Sequence, residues 1–162
     1  MRSKNFSTIS IILTTVILVI SCSKSTPPKE KVSLPPTQVS SQTLYYTDTI
    51  NGLVIDQQKQ PIPFSTDKNL IVAGWAVDEK AKGVAGGVLI DIDGKLYPST
   101  YGTDRPDVAD AYKTPSYKNS GFVSEIPISE IGKGQHTLSV KILTGDRKAY
   151  YSPEAKVMFE IK

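Results

Sequence analysis

Arg105, Asp107 and Asp110, with Asp104 just before them, form the densest polar cluster in this chain of 162 residues. A guanidinium among carboxylates at this spacing suits charge-assisted hydrogen bonds to a sugar or to a protein partner. The same residues also have a purely structural reading. Asp104 would cap a short helix, Arg105 would reach a carboxylate or loop carbonyls, and Pro106 would fix the first turn. Glycoside hydrolysis needs two carboxyls roughly 5 to 10 Å apart facing a cleft, and Asp107 and Asp110 are neighbours on one helical turn, so they do not straddle a substrate. Aromatic residues add a second strand to the argument. The chain has 8 Tyr against 1 Trp, and a tyrosine presents both a flat face for stacking on a sugar ring and a hydroxyl. Tyr101, Tyr112 and Tyr117 flank the polar cluster, so the candidate ligand-binding set is Tyr101, Arg105, Asp107, Asp110, Tyr112 and Tyr117.

The remaining reactive types point away from catalysis. Asp91-Ile-Asp93-Gly94 begins like a calcium loop, but the later ligands and the closing Glu are missing, and a hairpin turn accounts for it better. His136 is the single histidine and follows a Gly turn at the start of a strand, where a polar edge residue is the simpler account. One Cys and one His exclude a disulfide framework, a Cys-based zinc site and a His-clustered metal centre. No G-x-S-x-G elbow, S-x-x-K set or P-loop is present. We therefore expect no cofactor, no metal and no enzymatic activity.

Cys22 has its own context. Arg2 and Lys4 precede an apolar run from Ile9 to Ile20, broken only by Ser10, Thr14 and Thr15. A basic start followed by so short an apolar stretch is the pattern of a secretory signal, below the roughly 20 residues of a membrane span. At its end, Val19-Ile20-Ser21-Cys22 resembles the lipobox of bacterial lipoproteins. The resemblance implies cleavage between Ser21 and Cys22, lipidation of the Cys22 thiol, and a location on the extracytoplasmic side of a membrane, at its periplasmic face or the cell surface. Two or three acyl chains anchor firmly where one is marginal. The alternative is an uncleaved anchor or a secreted protein with an incidental, unpaired thiol. Residues 22–44, with two Pro-Pro pairs and scattered Ser, Thr and Lys, then read as an extended tether, in preference to a ligand for a proline-reading partner.

Positioning of the candidate set falls to residues 45–162, where aromatic and β-branched runs alternate with Gly, Pro, Asn and Asp. Strands are expected over Leu44 to Ile55, with Asn51-Gly52 as a bend or a tight turn, and over Asn69 to Val77, with Ile71, Ala73, Trp75 and Val77 on one face. Val84 to Ile92 follows as one strand, and Asp93-Gly94 turns it into Lys95 to Pro98. Phe122 to Ile128 comes next, closed by a corner at 129–134, and then His136 to Leu143, a turn at 144–147, and Lys156 to Ile161. One exception is a short helix at about 104–112 in a connecting loop, whose Val108 with Ala111 or Tyr112 would close one end of the molecule. Strands at this spacing, each with one apolar face, predict an all-β, immunoglobulin-like antiparallel β-sandwich.

Gly74-Trp-Ala-Val-Asp78, Gly86-Gly-Val-Leu-Ile-Asp91, Tyr101-Gly-Thr-Asp-Arg-Pro-Asp-Val-Ala109, Ser120-Gly-Phe122 and Gly134-Gln-His-Thr-Leu138 together resemble a family of bacterial immunoglobulin-like modules of extracytoplasmic and cell-surface proteins. The resemblance spans nearly all of residues 45–162 and implies a noncatalytic accessory sandwich. Charge agrees with this division. The formal net charge is +3, but Arg2, Lys4, Lys24, Lys29, Lys31 and Glu30 all precede residue 45, leaving 14 basic against 15 acidic side chains in the rest of the chain. The basicity belongs to export and tether, and no nucleic-acid partner is expected. Two functions follow as expectations: display of the sandwich for contact with an envelope protein or for a structural role, or contact with envelope or extracellular polysaccharide.

Overall fold

The computed structural model describes residues 32–65 and 68–162. Cys22 and the leader before it lie outside the described residues. In chain order the strands are β1 (Thr37–Val39), β2 (Tyr45–Ile50), β3 (Leu53–Val54), β4 (Ile62–Phe64), β5 (Asn69–Asp78), β6 (Gly83–Val84) and β7 (Gly87–Ile92). β8 (Lys95–Pro98), β9 (Thr100–Thr103), β10 (Gly121–Pro127), β11 (Gly134–Leu143), β12 (Ala149–Tyr151) and β13 (Val157–Ile161) complete the set. Two short helices, α1 (Pro106–Ala111) and α2 (Ile128–Ile131), sit in connections.

Among the described residues the strands form an all-β sandwich of two sheets, one with 7 strands and one with 6. In the larger sheet β11 is central: β7 pairs along one side of it, while β12 and β13 pair end to end along the other. In the smaller, β5 lies between β2 and β10. Alternation fills the space between the sheets, with Leu70, Val72, Phe122 and Ile126 facing Val88, Ile90, Leu138, Val140, Ile142 and Phe159, all buried in one cluster. Burying each such side chain contributes about 1.5–3 kcal/mol before conformational entropy is charged.

Two turns follow from their residues. Asp93 and Gly94 both have positive φ, at 51° and 87°, which closes the two-residue hairpin joining β7 to β8. Asn51-Gly52 does the same between β2 and β3, so it is a tight turn and not a bend.

Several expectations are corrected. In β5 the core-facing residues are Leu70, Val72 and Ala76, whereas Ile71 is 41% exposed. Trp75 and Val77 do point together, but to the outer side of the sheet, into a second small cluster with Val108 and Tyr117. The small residues mark the tight side: a Cβ on Gly74 would fall on the Tyr46 carbonyl oxygen of β2 and stand 2.8 Å from the Phe122 ring. Glycine occurs there because the neighbouring main chain and the core leave no space. The run from Val84 to Ile92 is two strands. β6 pairs with β5 in one sheet and β7 with β11 in the other, and the chain crosses between sheets at Ala85-Gly86. The corner after β10 contains the single turn α2, with Ile128 buried. The helix predicted at 104–112 spans Pro106–Ala111, and it covers the outer side of β5 through Val108 instead of plugging an end.

The globular body also starts before residue 45. β1 lies inside the stretch whose composition reads as tether, and pairs in parallel with β12. Val39 packs against the main core, and buried Thr43 donates from Oγ1 to the Val77 carbonyl at 2.6 Å. Main-chain ladders, one hydroxyl and the single Val39 side chain do this work, and composition does not register the first two.

Candidate functional site

The candidate set gathers around the start of α1, on the outer side of the smaller sheet. Arg105 occupies the N-cap position of the helix, with Pro106 following it, and no side chain caps the helix. Asp104, expected as the cap, is instead exposed and 3.7 Å from Lys118 Nζ. Arg105 places its guanidinium between two carboxylates. Nε and Nη2 donate to Asp107 at 2.9 and 2.7 Å, a two-pronged contact, and Nη1 donates to Asp48 Oδ2 at 2.7 Å. Asp48 arrives there through a β-bulge: the register of β2 on β5 shifts between Thr47 and Thr49, so Asp48 is the extra residue and its side chain is re-aimed.

Electrostatics in this cluster oppose one another. The hydrogen bonds from Arg105 hold the Asp107 carboxyl below its usual range. Burial pushes the Asp48 carboxyl up, and the Arg105 charge only partly offsets that. Asp107 foremost, and then Asp48, raise the Arg105 guanidinium in turn. With its fork filled by two carboxylates, Arg105 acts as a clamp between the α1 loop and β2.

The tyrosines divide in the same manner. Tyr101 Oη donates to the Ala76 carbonyl at 2.7 Å and accepts from Ala85 N at 2.9 Å, tying β9 to β5 and to the sheet crossing. Burial pushes its hydroxyl up to about 12. Tyr117 is buried at 4% exposure, in the small cluster under α1. Only Tyr112 presents an open ring, 43% exposed, with centroids 5.5 Å from Trp75 and 6.2 Å from Tyr117. Asp110 is exposed on the next face of the helix, where Pro106, Ala109, Lys113, Pro115 and Lys118 frame a shallow depression. The fold therefore brings Arg105 and Asp107 together with Asp48, engages Tyr101 and Tyr117 elsewhere, and leaves Tyr112 and Asp110 facing solvent.

Two other acidic positions are held by the scaffold. Asp91 Oδ1 accepts from Gly94 N at 2.8 Å, inside the hairpin. Asp93 Oδ1 accepts from Thr137 N at 2.9 Å, and Oδ2 lies 2.7 Å from His136 Nδ1. The His136 ring also packs on Phe159, with centroids 5.4 Å apart. Among the described residues no group of three or more His, Cys, Asp or Glu could hold a metal ion.

Sequence reasoning missed Asp48 and Asp78. No local signal marks Asp48, because a bulge is set by the pairing of two strands. Asp78 does carry one: it is a carboxylate closing the apolar run of β5. At 4% exposure it accepts from Tyr151 Oη at 2.6 Å, Gly145 N at 2.8 Å and Ala81 N at 3.2 Å, which joins the end of β5 to the turn before β12. Compared with known proteins, the chain matches no family model, no curated protein and no solved structure.

Proposed function

We propose that this chain is a membrane-anchored extracytoplasmic lipoprotein that displays a noncatalytic, immunoglobulin-like β-sandwich for contact with an envelope protein or for a structural role. The observation that carries the reading is Val19-Ile20-Ser21-Cys22, the only cysteine of the chain, at the end of a basic and then apolar leader. Lipid on Cys22 supplies the anchor, and the Pro-rich residues after it supply reach. Two features of the folded part support a display role. Its densest polar cluster is spent on holding α1 to β2, and no helix among the described residues is long and apolar enough to cross a membrane. Contact with polysaccharide through the loop is the second reading, favoured by the exposed Tyr112 ring beside Asp110.

Cys22→Ala tests the anchor. In the producing bacterium the wild-type chain is expected to incorporate labelled palmitate and to partition with membranes. The variant should lose the label and, once its leader is removed, appear in the soluble extracytoplasmic fraction. A cleaved variant that still fractionates with membranes would show that lipid is not the anchor.

A further inference from the structure

A gap in the sandwich lies away from the α1 loop, along the side where the two sheets part. β12 ends at Tyr151 and β13 begins at Val157, so the intervening residues leave the ladder opposite the middle of β11. Across the gap, β3 covers only Thr49 and Ile50 of β2, and no described strand pairs with the outer side of Tyr45–Thr47. The result is a groove of about 270 Å³ between β2 and β11. That volume is near the small end of the range for small-molecule sites and leaves room for a single ring.

Its floor is apolar, formed by Ile55, Leu138, Val140 and Val157, and its rim is polar. Tyr46 Oη donates to Asp56 Oδ2, which fixes the carboxylate and leaves Oδ1 open. Gln60 Oε1 accepts from Met158 N at 2.7 Å, which orients the amide so that its NH₂ remains as a donor. Lys156 completes the rim and has no partner among the described residues. Ser139 lies between the inward-facing Leu138 and Val140, so it borders the groove through its main chain while its side chain points to the other face of β11.

The chemistry of the rim selects a class of occupant. An apolar molecule would strip water from Asp56, Gln60 and Lys156 and return no hydrogen bonds, which is costly. An anion would face Asp56, and a cation would face Lys156. A neutral polyhydroxylated ring avoids all three penalties, because each hydroxyl both donates and accepts while the C–H face packs on tyrosine and aliphatic surface. We propose that the groove between β2 and β11 binds one neutral saccharide unit, with Asp56, Gln60 and Lys156 taking its hydroxyls and the Tyr46 ring lying against its C–H face. The proposal is independent of lipidation at Cys22.

The test uses the full chain in detergent, titrated with the methyl glycosides of glucose, galactose, mannose and N-acetylglucosamine and followed by ¹H–¹⁵N NMR. At least one glycoside should bind with a millimolar Kd and shift the amides of Asp56, Gln60 and Ser139. Asp56→Asn should weaken that binding about tenfold, the loss of one charged hydrogen bond. Lys156→Ala removes an exposed side chain from the folded protein and should weaken binding several-fold. Tyr112→Ala, on the α1 loop, should change nothing. The groove is not a saccharide site if none of the four glycosides shifts its amides. Unweakened binding in Asp56→Asn and Lys156→Ala, or loss of binding in Tyr112→Ala, overturns it equally.

Discussion

At the scale of single residues, the chemistry suggested by the α1 loop is largely absorbed by the fold. Arg105 joins two segments far apart in sequence, and its removal leaves Asp48, side chain 35% exposed, without its counter-charge. Discounting for that exposure, Arg105→Ala should cost about 1–2 kcal/mol, read as a lower urea midpoint at unchanged m-value. Arg105→Lys should recover only part of it, since an ammonium cannot bridge both carboxylates as the fork does. Tyr101 gives a pH signature. Its hydroxyl titrates at about 12 in the folded chain and nearer 10 once unfolded. The stability it contributes is thus complete below pH 10 and is lost as pH rises through that window. Tyr101→Phe should lower stability by about 1–2 kcal/mol at neutral pH by removing two hydrogen bonds. It should also flatten the decline between pH 10 and 12, measured by urea unfolding across that range.

Elements were legible where one face is apolar and a turn has its own chemistry. Leu138, Val140 and Ile142 in β11, and Phe159 and Ile161 in β13, are buried in the expected phase, and Asp93-Gly94 makes the expected hairpin. β5 was misread because it carries apolar residues on both faces, the outer one covered at Trp75 and Val77, so alternation gives no unique phase. Gly74→Ala tests that account: its Cβ would fall on the Tyr46 carbonyl oxygen and crowd the Phe122 ring, and we expect a loss of about 3 kcal/mol by thermal melting, at the upper end for overpacked cores. β1 escaped notice for a different reason. Its pairing runs through main chain, and Thr37-Gln38-Val39 has no pattern of its own. The candidate loop was legible as a cluster of residue types, while its closure by Asp48 depended on a bulge no single stretch encodes. The groove was illegible altogether, since Asp56, Gln60, Ser139 and Lys156 come from separate segments.

For the molecule as a whole, one main core and a small outer cluster share β5, so they should unfold together. Trp75, the only tryptophan, sits in the outer cluster, and its fluorescence reports that cluster, while far-UV circular dichroism reports the sheets. We expect the two probes to give one coincident urea transition; an earlier fluorescence change would mean that α1 and its cluster detach first. A final consequence follows from β1, the first strand to enter the body from the N-terminal side, which runs parallel to β12 through Thr37–Ala149, Gln38–Tyr150 and Val39–Tyr151. Were the chain held at Cys22 as proposed, a pull from that side would load this short ladder first among the described strands. Three pairs are a small mechanical resistance, and forced opening is governed by the rate at which such contacts release. Such a pull would peel β1 from β12 while the two sheets stay packed, so that under the proposed anchoring the edge strand would give way before the core does.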